Sequence, residues 1–214
     1  MAVDRKDQVK DFVQLSEKRN RGWPWPEDSW GLDSMYGETG WCHSCGTPLH
    51  EQSGPLTLQA GGQSPVHGAW IPNWRFDAIC LEKSIADRVS AEFRVDLRPV
   101  AWRRKVIGAA MQIVTPTVGA AWFDPDALRE RAIARHGSAG AECSECHVWR
   151  WMPMPTESLP PARSDLNWDR YDVIASPEWF GAGKRSFRDI LVRRSLANVI
   201  AAASPKDFKI QEIS

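Results

Sequence analysis

The chain has 214 residues, 43% of them apolar and 25% charged, a globular balance that excludes the disordered and fibrous classes. Its 27 Lys and Arg offset 27 Asp and Glu, so a partner held mainly through phosphates is disfavoured, because nucleic-acid binders carry a basic excess. The charged N-terminus has no apolar h-region and the longest apolar stretch, 106–114, is broken by Gln112, so a soluble, cytoplasmic protein with no membrane partner is expected.

In chain order, residues 10–16 read as an opening strand, and 21–30, rich in Pro and Trp, as an irregular segment covering a core. A first cysteine pair follows, Cys42-His43-Ser44-Cys45-Gly46. Recurrent Gly and Pro make 51–72 loops. A β-rich run at 79–81 ends in Glu82-Lys83, where Ser84 is expected to cap an apolar-periodic helix; the alternation at 93–98 then predicts a strand. Residues 110–114 form another strand. Asp124-Pro125-Asp126 opens a helix with a cap and an N1 proline, and the helix ends before Gly137. The second pair is Cys143-Ser144-Glu145-Cys146-His147. A Pro-rich connection spans 151–163, and Ser176 starts a short helical turn over 176–180 that Gly181 and Gly183 stop. The chain closes with a strand at 190–192, a helix capped by Ser195, and a strand at 208–213.

Each CxxC turn aims two thiolates at one centre, and two turns complete a tetrahedron. Cys42, Cys45, Cys143 and Cys146 are therefore the expected ligands of one structural Zn2+. Gly46 suits the left-handed position after the second cysteine, and His147 stands there in the other pair. Covalent haem at Cys143-x-x-Cys146-His147 would leave the first pair unexplained. A thiol redox site needs a strand before a pair and a helix opening after it, and neither pair clearly has both. His43 and His147 are alternative ligands. Cys80 falls in a strand and reads as a buried apolar residue. With 97 residues between Cys45 and Cys143, the site ties distant parts of the chain together, and four thiolates leave no position for a reactive water.

An internal similarity is the second signal. Residues 76–89 match 187–200 without a gap: Phe76 with Phe187, Ile79 with Ile190, Ser84 with Ser195, Ala86 with Ala197. Each strand–helix–strand copy follows one cysteine pair. The expected fold is α+β, with two pseudo-repeated strand–helix–strand units joined by the four-thiolate zinc site. It is one domain over 1–214, with a first half at about 38–100, a connecting segment at 101–138 and a second half at 139–214.

The layout resembles the double-CXXCG motif proteins, some of which are bacterial immunity proteins that neutralise toxins. The resemblance is carried by Cys42, Cys45, Gly46, Cys143 and Cys146, by the run 172–181, and by the ending 189–213. His147 departs from it, standing where the family has Gly. Membership implies a non-enzymatic protein whose partner is a cognate toxin.

No GxSxG, phosphate-binding Gly loop or HExxH occurs, and His50, His67 and His136 fall in loops or at a helix end, so an enzyme is not expected. There are 12 Trp, and the clusters Trp23/Trp25/Trp30 and Trp149/Trp151 sit in irregular segments beside the two pairs, marking a contact surface if exposed. The alternative function is a zinc-ribbon-like, nucleic-acid-associated regulatory factor, favoured only by Arg103-Arg104-Lys105 and Arg193-Arg194.

Overall fold

A computed structural model of the protein describes residues 11–19, 24–59, 66–163 and 168–213; Trp23 lies outside them. Strand β1 (Phe12–Glu17) comes first, then a 3-10 turn (Ser29–Gly31) running into a short helix α1 (Leu32–Tyr36). Two-residue strands β2 (Thr57–Leu58) and β3 (Ala69–Trp70) precede β4 (Ile79–Glu82), which passes directly into helix α2 (Lys83–Glu92). Next come β5 (Asp96–Pro99), β6 (Ala101–Trp102), β7 (Ala110–Val114) and helix α3 (Pro125–His136). Strands β8 (Gly140–Glu142), β9 (Trp149–Trp151), β10 (Val173–Ala182) and β11 (Arg185–Arg193) lead into helix α4 (Arg194–Ala203), and β12 (Phe208–Glu212) closes the chain. Among the described residues no helix is long and apolar enough to cross a membrane.

The fold is thus α+β. One sheet has the order β3-β4-β7-β5, another β12-β1-β11-β10-β9-β8, and β2 pairs with β6. The first sheet and the first four strands of the second share one plan. Each strand after a helix lies two places from the strand before that helix, with an antiparallel strand between them. That middle strand is β7 in one sheet and β1, from the other end of the chain, in the second. The registers correspond: Leu81 pairs with Met111 as Val192 pairs with Val13, and Leu97 with Ile113 as Ile210 with Leu15.

Side chains follow the same plan. Ile79, Leu81, Ala86 and Val89 enter the same core as Ile190, Val192, Ala197 and Ile200, each fully withdrawn aliphatic side chain contributing about 1.5–3 kcal/mol. Strand alternation turns Cys80 and Leu191 to the outer faces. There Cys80 joins a cluster with Met35, Leu56 and Trp70, while Leu191 joins one with Phe12, Trp122 and Trp168. Helices α2 and α4 pack on each other, and Phe76 meets Phe187 edge-on at 5.5 Å. Asp124 caps α3, accepting the amides of Asp126 (3.1 Å) and Ala127 (2.9 Å), and Gly137 ends the helix at φ 72°, as its sequence signals predict.

Three expectations are corrected. Ser84 and Ser195 do not cap their helices; both occupy the second helical position, and neither helix has a side-chain cap. The strand ladder supplies the missing acceptor, since the Lys83 amide donates to Ala109 O (2.9 Å) and the Arg194 amide to Asp11 O (2.7 Å). Residues 176–180 are not a helical turn but a bulged part of β10. Ser176 Oγ donates to Glu178 O (2.9 Å) and accepts the Asp189 amide (3.2 Å), holding the register shift between Ala175 and Trp179. The loops expected over 51–72 contain β2 and β3, strands too short to leave a periodicity.

Candidate metal centre

The two cysteine pairs form knuckles with matching hydrogen bonds. The Gly46 amide donates to Cys42 O (2.7 Å) and the His147 amide to Cys143 O (3.0 Å); the Cys42 amide donates to Thr47 O (2.8 Å) and the Cys143 amide to Val148 O (3.1 Å). Flanking residues pair alike, Trp41 with Pro48 and Glu142 with Trp149. Gly46 and His147 both take left-handed backbone, at φ 76° and 57°. The first knuckle tolerates only glycine there, because an added Cβ would lie 2.4 Å from the Lys184 carbonyl oxygen. Nothing comparable constrains His147, which is exposed, with Nδ1 3.1 Å from Glu142 Oε1.

The four sulfurs converge. Cys42 Sγ lies 3.7 Å from Cys143 Sγ, Cys45 Sγ lies 3.6 Å from Cys146 Sγ, and all four fall within 4.8 Å of one another. These separations exceed a disulfide bond, and all four thiols are free. A tetrahedral ion with metal–sulfur bonds of about 2.3 Å sets its ligands about 3.8 Å apart, so the cluster fits a coordinated metal ion. Cys42, Cys45 and Cys143 are buried and Cys146 half-buried.

Electrostatics favours one thiolate even before a cation is considered. The Cys146 and Glu145 amides aim at Cys143 and bring its pKa down to about 6. Burial, reinforced by the neighbouring thiols, pushes Cys146 up to about 12, and burial also raises Cys42. A divalent cation would reverse that penalty and hold every coordinating thiol deprotonated.

Neither histidine joins the cluster. His43 stacks on Trp41 with ring centroids 4.1 Å apart, and its Nε2 lies 2.6 Å from Glu38 O. Cys80 is fully buried in β4, where loss of water raises its pKa far above the usual thiol range. His136 Nε2 bonds Pro153 O (2.8 Å). Trp25, Trp30 and Trp149 are exposed, whereas Trp151 is buried.

Sequence reading missed the residues that seat the first knuckle. Thr47 Oγ1 lies 3.1 Å from Cys45 Sγ and 2.8 Å from Ser186 Oγ, and the Ser186 hydroxyl donates to Cys45 O (2.9 Å). Arg150 of β9 donates from Nη1 to Cys45 O (3.1 Å) and Gly183 O (2.7 Å). The bonds from Ser186 and Arg150 to the first knuckle join positions more than a hundred residues apart, and no local pattern announces them. No family model, curated protein or solved structure matches this chain.

Proposed function

We propose that the protein is a non-enzymatic, zinc-stabilised binding protein, an immunity-type inhibitor that neutralises a bacterial toxin by direct contact. The supporting observation is the closed four-sulfur cluster. It joins knuckles from distant parts of the chain, is seated from behind by Thr47, Ser186 and Arg150, and would leave a bound zinc no position for water. Such a centre serves architecture. Exposed Trp25, Trp30 and Trp149 near the knuckles give this scaffold the anchors that bury on contact with a protein. The nucleic-acid alternative weakens, because Arg103, Arg193 and Arg194 already pair with Glu27, Asp172 and Glu212.

The scaffold is an internal duplication about an approximate two-fold. Equivalent residues meet across it, Phe76 with Phe187 and Cys42 with Cys143, as on the axis of an isologous dimer. Contacts off the axis run both ways between corresponding segments: the Ala69 amide donates to Ser204 Oγ (2.7 Å), and the Arg94 amide to Asp172 (2.7 Å). An experimental structure in which residues 69–99 and 110–114 fail to superpose on 173–213 and 12–17 would contradict the duplication.

The functional test is co-expression with the toxin that this reading requires as partner, sought among the neighbouring genes. Wild type should rescue growth, and variants with the exposed Trp residues changed to Ala should not. Turnover of a substrate by the purified protein, with no toxin neutralised, would overturn the reading.

A further inference from the structure

Beside the first knuckle lies a cavity of about 290 Å3 walled by Trp30 and Trp74. Its lining includes Lys184 and Arg185, together with Arg75, whose charge is met by Asp77 just behind the wall. Arg75 is 3% exposed; its Nη2 pairs with Asp77 at 2.8 Å, and its Nε finds no hydrogen-bond partner among the described residues. Arg75 therefore belongs to the floor behind the cavity, held by Asp77, and the accessible charge at its mouth comes from Lys184 and Arg185. Arg185 lies over Trp74 (4.6 Å) and Phe76 (5.4 Å), so the cationic rim is stacked on the aromatic wall.

A neighbouring concavity adjoins this cavity at Trp30. It has a volume of about 460 Å3, shares Trp30 and Lys184 with the first and continues along Trp25, Trp41 and His43. Glu27 and Asp28 stand in this second part, Glu27 already tied to Arg103, so the anion-selective end is the one between Trp30 and Trp74. Trp30 (φ 56°) and Trp74 (φ 67°) hold left-handed backbone that aromatic residues rarely adopt, and each remains about two-fifths exposed.

We propose that this trough is the docking site for an acidic segment of the partner protein. An Asp or Glu enters between Trp30 and Trp74 toward Lys184 and Arg185, and an adjoining aromatic residue lies along Trp25 and His43. The inference rests on the binding-protein reading above and names the surface and partner chemistry for it. Two concavities that share Trp30 and Lys184 suit an extended peptide segment that contacts both. The flat indole walls suit the Tyr and Trp side chains that dominate protein contacts, and the one-sided charge demands a carboxylate.

The test uses the full chain with 15N-labelled tryptophan, titrated with Ac-Tyr-Asp-Tyr-NH2, with Ac-Tyr-Asn-Tyr-NH2 and with AMP. The acidic peptide should shift the Trp30 and Trp74 indole signals saturably, and its asparagine isostere should bind about 10-fold more weakly, because the cations then face no charge. Trp74→Gly, which suits the positive φ, should weaken binding about 10-fold or more. Lys184→Glu, on an exposed turn, should weaken it about 5-fold with an unchanged melting temperature. Equal binding of the two peptides, tighter binding of AMP, shifts confined to Trp149, or no shift at millimolar peptide would each overturn the proposal. The two readings fail separately. Peptide binding at this trough without toxin rescue would sink the immunity role and leave the site, whereas rescue that survives both substitutions would sink the site alone.

Discussion

Gly46 and His147 occupy equivalent places in the two knuckles, yet substitutions there should have very unequal effects. In Gly46→Ala the new methyl meets two costs. Left-handed backbone costs an L-residue about 1–2 kcal/mol. The Cβ would also sit 2.4 Å from the Lys184 carbonyl oxygen and 3.0 Å from its carbon, backbone atoms that no rotamer change can move. Relief requires the knuckle to back away from the β10–β11 hairpin. That motion stretches the Ser186 and Arg150 hydrogen bonds to Cys45 O, each contributing about 1–2 kcal/mol. The sum is a loss of about 3 kcal/mol or more, with weaker metal retention, since Cys45 moves with its carbonyl. His147→Gly removes left-handed strain at an exposed site but adds about 0.5–1 kcal/mol of unfolded-chain entropy, so its net effect should stay within about 1 kcal/mol. Urea denaturation of metal-loaded protein, with competition against a chromogenic chelator, measures both. A Gly46→Ala protein within about 0.5 kcal/mol of wild type, holding its metal equally well, would refute the reasoning, since that shift lies within ordinary surface-substitution scatter.

Two further outcomes follow from single residues. Burial foremost, with the charge of Glu178 adding and a hydrogen bond from Gln14 opposing, raises the Asp189 pKa from 3.8 to about 7. The folded state therefore holds a proton that the unfolded state releases: the stabilisation is full below about pH 4 and lost as pH rises through about 7, a change of up to about 4 kcal/mol. Asp189→Asn should flatten that slope and stabilise the protein at pH 8, as read by melting temperature against pH; an unchanged profile counts against it. Asp124→Ala should cost about 1 kcal/mol by removing both amide bonds at the start of α3, measured by urea unfolding, and no loss would mean the cap is idle.

What could be read in advance was local chemistry. The cap and proline before α3 and the spacing of Cys42, Cys45, Cys143 and Cys146 act within a few residues, and each stands where its pattern places it. Other features depend on partners far along the chain. Strand β1 completes the sheet of β11 and β12 nearly two hundred residues later, and nothing in its alternation says which sheet it joins. The serine caps failed because Ala109 and Asp11 carbonyls serve the first helical amides instead. Pro177 and Glu178 read as a helix start, but Ser176 and Asp189 fasten that segment as a bulge across two strands. The cation-rimmed trough draws Trp30, Trp74 and Arg185 from three separate segments, so neither of the Trp clusters visible in sequence outlines it.

The central claim is that four cysteines from two distant knuckles hold one zinc ion that closes the scaffold. Zinc analysis of protein purified without tags or added metal, joined to X-ray absorption at the zinc edge, tests it most directly. About one zinc per chain with four sulfur neighbours at about 2.3 Å is expected, with loss of that signal in Cys143→Ser. A nitrogen or oxygen neighbour in the wild-type shell, or full zinc content and unchanged stability in Cys143→Ser, would contradict it.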